Sequence, residues 1–169
     1  MVYRTSLKTL QKYLIESQNF LVNKKLNNRQ DKYEYHPTTR DELKDIIIDL
    51  LKKGQTNLNC IDVSNIEDMS WLFNEVIDNI KVKEIDISEW DVSNVTNMLA
   101  MFECCSNFNS DISNWNVSNV ERMGSMFYKC EKFNSDLSKW NVSNVTEMDN
   151  TFDGCDTLKK NNKIPKWYI

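Results

Sequence analysis

The sequence predicts an α/β repeat fold: a short solenoid whose units each supply one short parallel strand and one short helix, with capping helices at its N-terminal end. Three observations carry this. One phrase recurs, beginning Trp90-Asp91-Val92-Ser93-Asn94-Val95, Trp115-Asn116-Val117-Ser118-Asn119-Val120 and Trp140-Asn141-Val142-Ser143-Asn144-Val145. Its copies are 25 residues apart at the tryptophans, at Met98, Met123 and Met148, at Phe102, Phe127 and Phe152, and at Cys105, Cys130 and Cys155. A fixed period of that length marks a stack of like units. Within each copy, helix-like spacing alternates with a β-branched and aromatic stretch, and a helix with clear end signals precedes the first copy.

Residues 1–35 read as an N-terminal extension. Across 5–22, Leu7, Leu10, Leu14 and Leu21 fall on one helical face, with Lys8, Lys12, Glu16 and Gln18 on the others and Thr5 or Ser6 at the start. Residues 36–56 hold the N-terminal capping helix. Thr39 and Glu42 form a T-x-x-E capping box, in which the hydroxyl takes an orphan N–H and the carboxylate reaches back to the cap. Leu43, Ile46, Ile47, Leu50 and Leu51 then make one apolar stripe, and Lys52-Lys53-Gly54 supplies cations and a glycine at the end.

Residues 57–158 make a four-repeat solenoid. Its first copy is degenerate: Ile61-Asp62-Val63-Ser64-Asn65-Ile66, then Met69 and Trp71-Leu72-Phe73, offset by 29 residues from the next copy. The four extra residues fall between Phe73 and Ile85, in a loop. In the full copies, Val95, Met98, Met101 and Phe102 have helical spacing, and Ser118 with Glu121 repeats the capping pattern. The stretch Phe108 to Trp115 suits an extended rung, which would pair in parallel about 4.8 Å from its neighbour. Residues 159–169 form the other cap, with Trp167 over the last rung.

Composition bounds the function. The net charge of −4 is unevenly spread: residues 56–155 hold 6 Lys/Arg against 17 Asp/Glu, or −11, while the segments on either side are basic. A body of that sign disfavours phosphate contacts, so direct nucleic-acid binding by the solenoid is not expected, and a basic protein partner suits it. No apolar run approaches the ~18 residues needed to span a bilayer. The N-terminus has no uninterrupted apolar signal region, so the expected location is the cytoplasm, without membrane association. Five cysteines, three of them at one repeat position, fit free thiols in a reducing compartment better than a disulfide framework.

The unit W-[DN]-V-S-N-V-x-x-M-x-x-M-F-x-x-C-x-x-F-N-S-D-[IL]-S resembles the BspA-like repeat family, leucine-rich-repeat relatives found in surface proteins and lipoproteins of mycoplasmas and other bacteria. The resemblance runs over about residues 36–169 and departs at Thr151, where the other copies have Met101 and Met126. It implies a right-handed solenoid of leucine-rich-repeat type and a role in recognition, with no enzymatic activity.

Columns of identical residues invite chemical roles, and each has a structural alternative. Cys105, Cys130 and Cys155 could hold a soft metal, or form a packing ladder. Asp86, Asp111 and Asp136 could hold a cation between rungs, or accept backbone N–H groups within their own turns. Asn109 and Asn134 suit a buried amide ladder. His36 is the one histidine, which excludes a multi-His metal site. No catalytic, cofactor or metal residue is therefore assigned and no cofactor is expected. The candidate partner-binding residues are those where the copies differ: Asn97, Glu103, Glu121, Arg122, Tyr128, Lys129, Glu147, Asp149 and Asp153. The expected function is a non-enzymatic protein–protein interaction module using one face of the acidic solenoid. Two alternatives are an inhibitor that blocks the basic groove of a nucleic-acid-processing enzyme and, if the chain is exported, a surface adhesin.

Overall fold

The computed structural model describes residues 32–77 and 84–168. The helix expected over 5–22 lies outside the described residues. The chain divides into Met1–Lys32 and Tyr33–Ile169, and the described helices and repeats belong to the second unit.

Helix α1 spans Arg40–Lys52. Thr39 caps it, its hydroxyl accepting the Glu42 N–H at 3.2 Å. Glu42 reaches one residue further back than the capping-box pattern predicts, taking the N–H and hydroxyl of Thr38 at 2.8 and 2.9 Å. Leu43, Ile47, Leu50 and Leu51 are buried, and Ile46 is half-buried at the edge of the stripe. The helix stops at Gly54 (φ +81°), whose N–H bonds the Leu51 carbonyl while that of Gln55 bonds Leu50. This is a Schellman closure, which needs the left-handed glycine.

The expected strand-plus-helix solenoid does not form, and with it goes the leucine-rich-repeat assignment. Among the described residues two further helices occur, α2 (Leu72–Ile77) in the degenerate repeat and α3 (Asp156–Lys160) after the last one. Among the described residues no strand forms; parallel pairing is confined to isolated bridges, Asp68 with Asn97, Asn97 with Arg122 and Arg122 with Glu147 among them. The three full repeats are chains of tight turns.

The turns explain why helical spacing misleads. Met101, Glu103 and Cys105 donate N–H groups three residues back, to Met98, Ala100 and Phe102. The alternate donors point out of the repeat: Met98, Ala100, Phe102 and Cys104 bond the carbonyls of Arg122, Gly124, Met126 and Tyr128 at 2.8–3.0 Å. Residues Ala100 and Cys104 sit at φ +52° and +62°, as do Ser125 and Lys129 (+54°, +57°) and Asn150 and Gly154 (+57°, +78°). A left-handed residue at every fourth position breaks a helix but keeps apolar side chains recurring every three or four residues. The 96–104 segment is thus a laddered row of turns.

The segment expected to pair as a strand is held by side chains. Ser110 and Ser135, both buried, accept the N–H groups of Ile87 and Ile112 through their hydroxyls at 3.1 and 3.3 Å. Four of the five indole N–H groups reach the preceding repeat: Trp90 to the Leu58 carbonyl, Trp115 to Ile87, Trp140 to Ile112 and Trp167 to Leu137, all at 3.0–3.3 Å. A buried polar edge is therefore satisfied without backbone pairing.

The core is a column of rings. Phe73, Phe102, Phe127 and Phe152 stack face to face with centroids 5.1–5.6 Å apart, and Phe108 and Phe133 make a second column beside them. Trp167 continues the pattern past the last repeat, lying 6.4 Å from Trp140 and nearly parallel to it.

Candidate functional site

The repeated polar columns are engaged in structure. Asp86, Asp111 and Asp136 each accept the N–H of the serine two residues on, at 3.0–3.1 Å. Burial pushes the Asp86 carboxyl up, but the Ser88 N–H and hydroxyl outweigh it and hold the group below the usual carboxylate range. Asp111 is lowered by the bonds from Ser113 and by the Ser135 hydroxyl, and Asp136 by those from Ser138. Like-charge repulsion along the column is met by turn hydrogen bonds. Among the described residues no group of three or more His, Cys, Asp or Glu is placed to hold a metal ion.

The thiols of Cys130 and Cys155 donate to the carbonyls of Phe102 and Phe127 at 3.0 Å, one repeat back. Burial pushes all three column thiols up, Cys155 to about 12. Such thiols are poor nucleophiles and poor metal ligands at neutral pH. The buried amide ladder expected of Asn109 and Asn134 is not what joins them: Asn109 is exposed, and its side-chain oxygen accepts the backbone N–H of Asn134 at 3.0 Å.

The nine candidate binding residues all lie on the laddered row. Asn97, Arg122 and Glu147 occupy one bridging position. Arg122 donates to the Glu147 carboxylate at 2.7 Å and Asn97 to Asp68 at 3.2 Å, so this column is paired along its length. Glu103, Tyr128 and Asp153 share a second position, where the Lys129 ammonium lies 5.1 Å from the Tyr128 ring. Glu121, Asp149 and Asp153 are exposed and carry no ion pair among the described residues. The direct contacts among these nine are Arg122 with Glu147, within one column, and Tyr128 with its chain neighbour Lys129.

Beside the first column runs a groove lined by Glu67, Asn94, Thr96, Asn119, Glu121, Asn144 and Thr146, of which Glu121 alone is among the candidates drawn from the differences between copies. Asn94, Asn119 and Asn144 each donate their amide to a serine carbonyl of the preceding repeat at 2.7–2.8 Å. The hydroxyls of Thr96 and Thr146 donate to the carbonyls of Glu67 and Glu121. Each asparagine amide has one N–H held by a backbone carbonyl and each threonine hydroxyl is likewise engaged, while Glu67 and Glu121 add two exposed carboxylates to the lining. Asn94, Asn119 and Asn144 are identical, and identity reads as scaffold; only the alternation Glu67, Thr96, Glu121, Thr146 signals the groove.

Residues 43–167 match a family described as a Mycoplasma protein of unknown function, DUF285. The match begins inside α1 and runs to Trp167, about three quarters of the chain. The chain belongs to this family. No curated protein and no solved structure matches it. The DUF285 region contains the laddered rows, the aromatic columns and the groove. Among the described residues of this DUF285 chain, no helix is long and apolar enough to cross a membrane.

Proposed function

We propose that this DUF285 chain is a non-enzymatic module that binds a basic protein through the acidic face around its laddered rows. The observation that carries the reading is the groove from Glu67 to Thr146, whose charged groups are the exposed carboxylates of Glu67 and Glu121 and which no cation lines. A ligand for such a surface must bring donors and positive charge, which Lys and Arg side chains do. The net charge of −11 over residues 56–155 adds a long-range field of the matching sign. The columns that invite catalysis are occupied by turn, thiol and indole hydrogen bonds, which favours scaffold over enzyme.

The test is a double charge reversal, Glu67→Lys with Glu121→Lys, two exposed carboxylates with no ion pair among the described residues. Affinity for the protein captured from the native cell should fall by about tenfold or more and weaken further with salt, since interfacial charge pairs are screened. The melting temperature should be unchanged. Unaltered affinity would remove the groove from the interface. A surface adhesin is the second reading, supported by the resemblance to BspA-like repeats; protease treatment of intact cells tests it, since an intracellular module survives.

A further inference from the structure

The rows of the ladder lie side by side, and each spends its alternate N–H groups on the next. Met69, Trp71 and Phe73 donate to the carbonyls of Asn97, Leu99 and Met101. Met123, Ser125, Phe127 and Lys129 donate in the same way to Glu147, Asp149, Thr151 and Asp153. The equivalent donors of the last row are the N–H groups of Met148, Asn150, Phe152 and Gly154. Tyr168 stands over Phe152 and sets that position apart, its ring edge-on to the Phe152 ring with centroids 5.0 Å apart. Among the described residues nothing accepts from the other three. A row of alternate, unspent N–H groups is a template for another chain.

The opposite end of the ladder is closed. There the outward carbonyl of Ser70 takes the Arg40 Nε at 2.6 Å, and the row turns helical at Leu72. A second copy therefore has no matching row to offer. What flanks the open donors is negative: Asp149 and Asp153 are exposed and carry no ion pair among the described residues.

We propose that this open edge takes up an extended, basic polypeptide segment as a further row. Alternate carbonyls of the segment accept the N–H groups of Met148, Asn150 and Gly154, and its Lys or Arg side chains lie against Asp149 and Asp153. This is strand addition to an edge, with the main chain giving affinity and side chains giving selectivity. It rests on the protein-binding reading and names the chemistry of one partner site.

Amide hydrogen exchange, resolved residue by residue by NMR, tests it. In the free protein at low concentration, the amides of Met148, Asn150 and Gly154 should exchange roughly a hundredfold faster than those of Met123, Ser125 and Lys129. An alternating Lys–Val decapeptide should slow the three edge amides by about tenfold or more at saturation, and its Glu–Val counterpart should not. The double variant Asp149→Asn, Asp153→Asn should weaken the protection. Edge amides already protected in the free protein overturn the proposal, and protection that grows with protein concentration alone makes a second copy the occupant. If the Lys–Val peptide instead perturbs only residues around Glu67 and Glu121, the edge is wrong while the acidic-groove reading stands. If the peptide binds nowhere, the edge proposal falls, and the Glu67, Glu121 reversal judges the other independently.

Discussion

Two glycines of the laddered rows look alike in sequence and differ in what they must do. Gly154 sits at φ +78°, and a Cβ there would lie 3.0 Å from the Lys129 Cα and 3.2 Å from its nitrogen, backbone that cannot step aside. Gly124 has no positive φ, and its Cβ would meet the ends of the Glu147 and Leu99 side chains, both at 3.2 Å. Gly154→Ala should therefore cost about 1–3 kcal/mol, from left-handed strain plus the close approach of the rows. Gly124→Ala should stay within about 1 kcal/mol, because flexible side-chain ends can turn away. Urea unfolding of the two variants checks the contrast; equal losses would mean that the row spacing, and not the backbone conformation, sets the requirement. The same position separates the copies, since Cys104 and Lys129 hold left-handed conformations without a glycine's freedom.

At the scale of the element, the Asp-x-Ser turn is the recurrent unit, and Asn can replace Asp in it. Asn116 and Asn141 accept the Ser118 and Ser143 N–H groups at 3.2 Å, as Asp111 and Asp136 accept theirs. The difference is titration. Asp86, Asp111 and Asp136 are all lowered in the folded chain by their turn bonds. A lowered carboxylate contributes stability above its unfolded value of about 3.9 and loses it as pH falls through the folded value. The triple variant Asp86→Asn, Asp111→Asn, Asp136→Asn should keep the turns and show a smaller drop in melting temperature between pH 6 and pH 3 than the unaltered chain. An unchanged drop would place the acid sensitivity elsewhere. These turns also mark where the sequence was legible. Columns of Trp, Phe and Cys announced stacking, and α1 announced itself through Thr39, Glu42 and Gly54. The conformation of the 96–104 segment did not show, because turns of four residues return Met98, Met101 and Phe102 to one side at nearly the helical interval. Nor did the rung at 108–115 show its true partner, since a serine hydroxyl and a backbone carbonyl accept equally well. The groove was hidden for a related reason: identical asparagines signal structure, and nothing in their identity shows that they also line a groove.

At the scale of the whole molecule, the interface between two full repeats is repeated almost bond for bond. Met98 to Arg122 and Met123 to Glu147 both measure 2.8 Å, the return bonds from Glu121 to Thr96 and Thr146 to Glu121 are both 2.8 Å, and the Phe102–Phe127 and Phe127–Phe152 stacks are both 5.6 Å. Each unit thus presents on one side what it accepts on the other, so an internal repeat needs nothing from the ends of the stack. Inserting a second copy of residues 115–139 after Lys139 should then be accommodated. The added unit would receive the ring, indole and thiol contacts of its neighbours and pass them on. In nearest-neighbour terms it contributes its own intrinsic term and one further interface. The expected outcome is a single cooperative urea transition with a higher midpoint and a slope larger by roughly a fifth, because the slope follows the surface exposed on unfolding. A lower midpoint, or two separate transitions, would show that the stack depends on the match between α1 at one end and Trp167 and Tyr168 at the other. A higher midpoint would place the stability in the repeat interface itself, leaving the outward positions from Glu67 to Thr146 free to change with the partner.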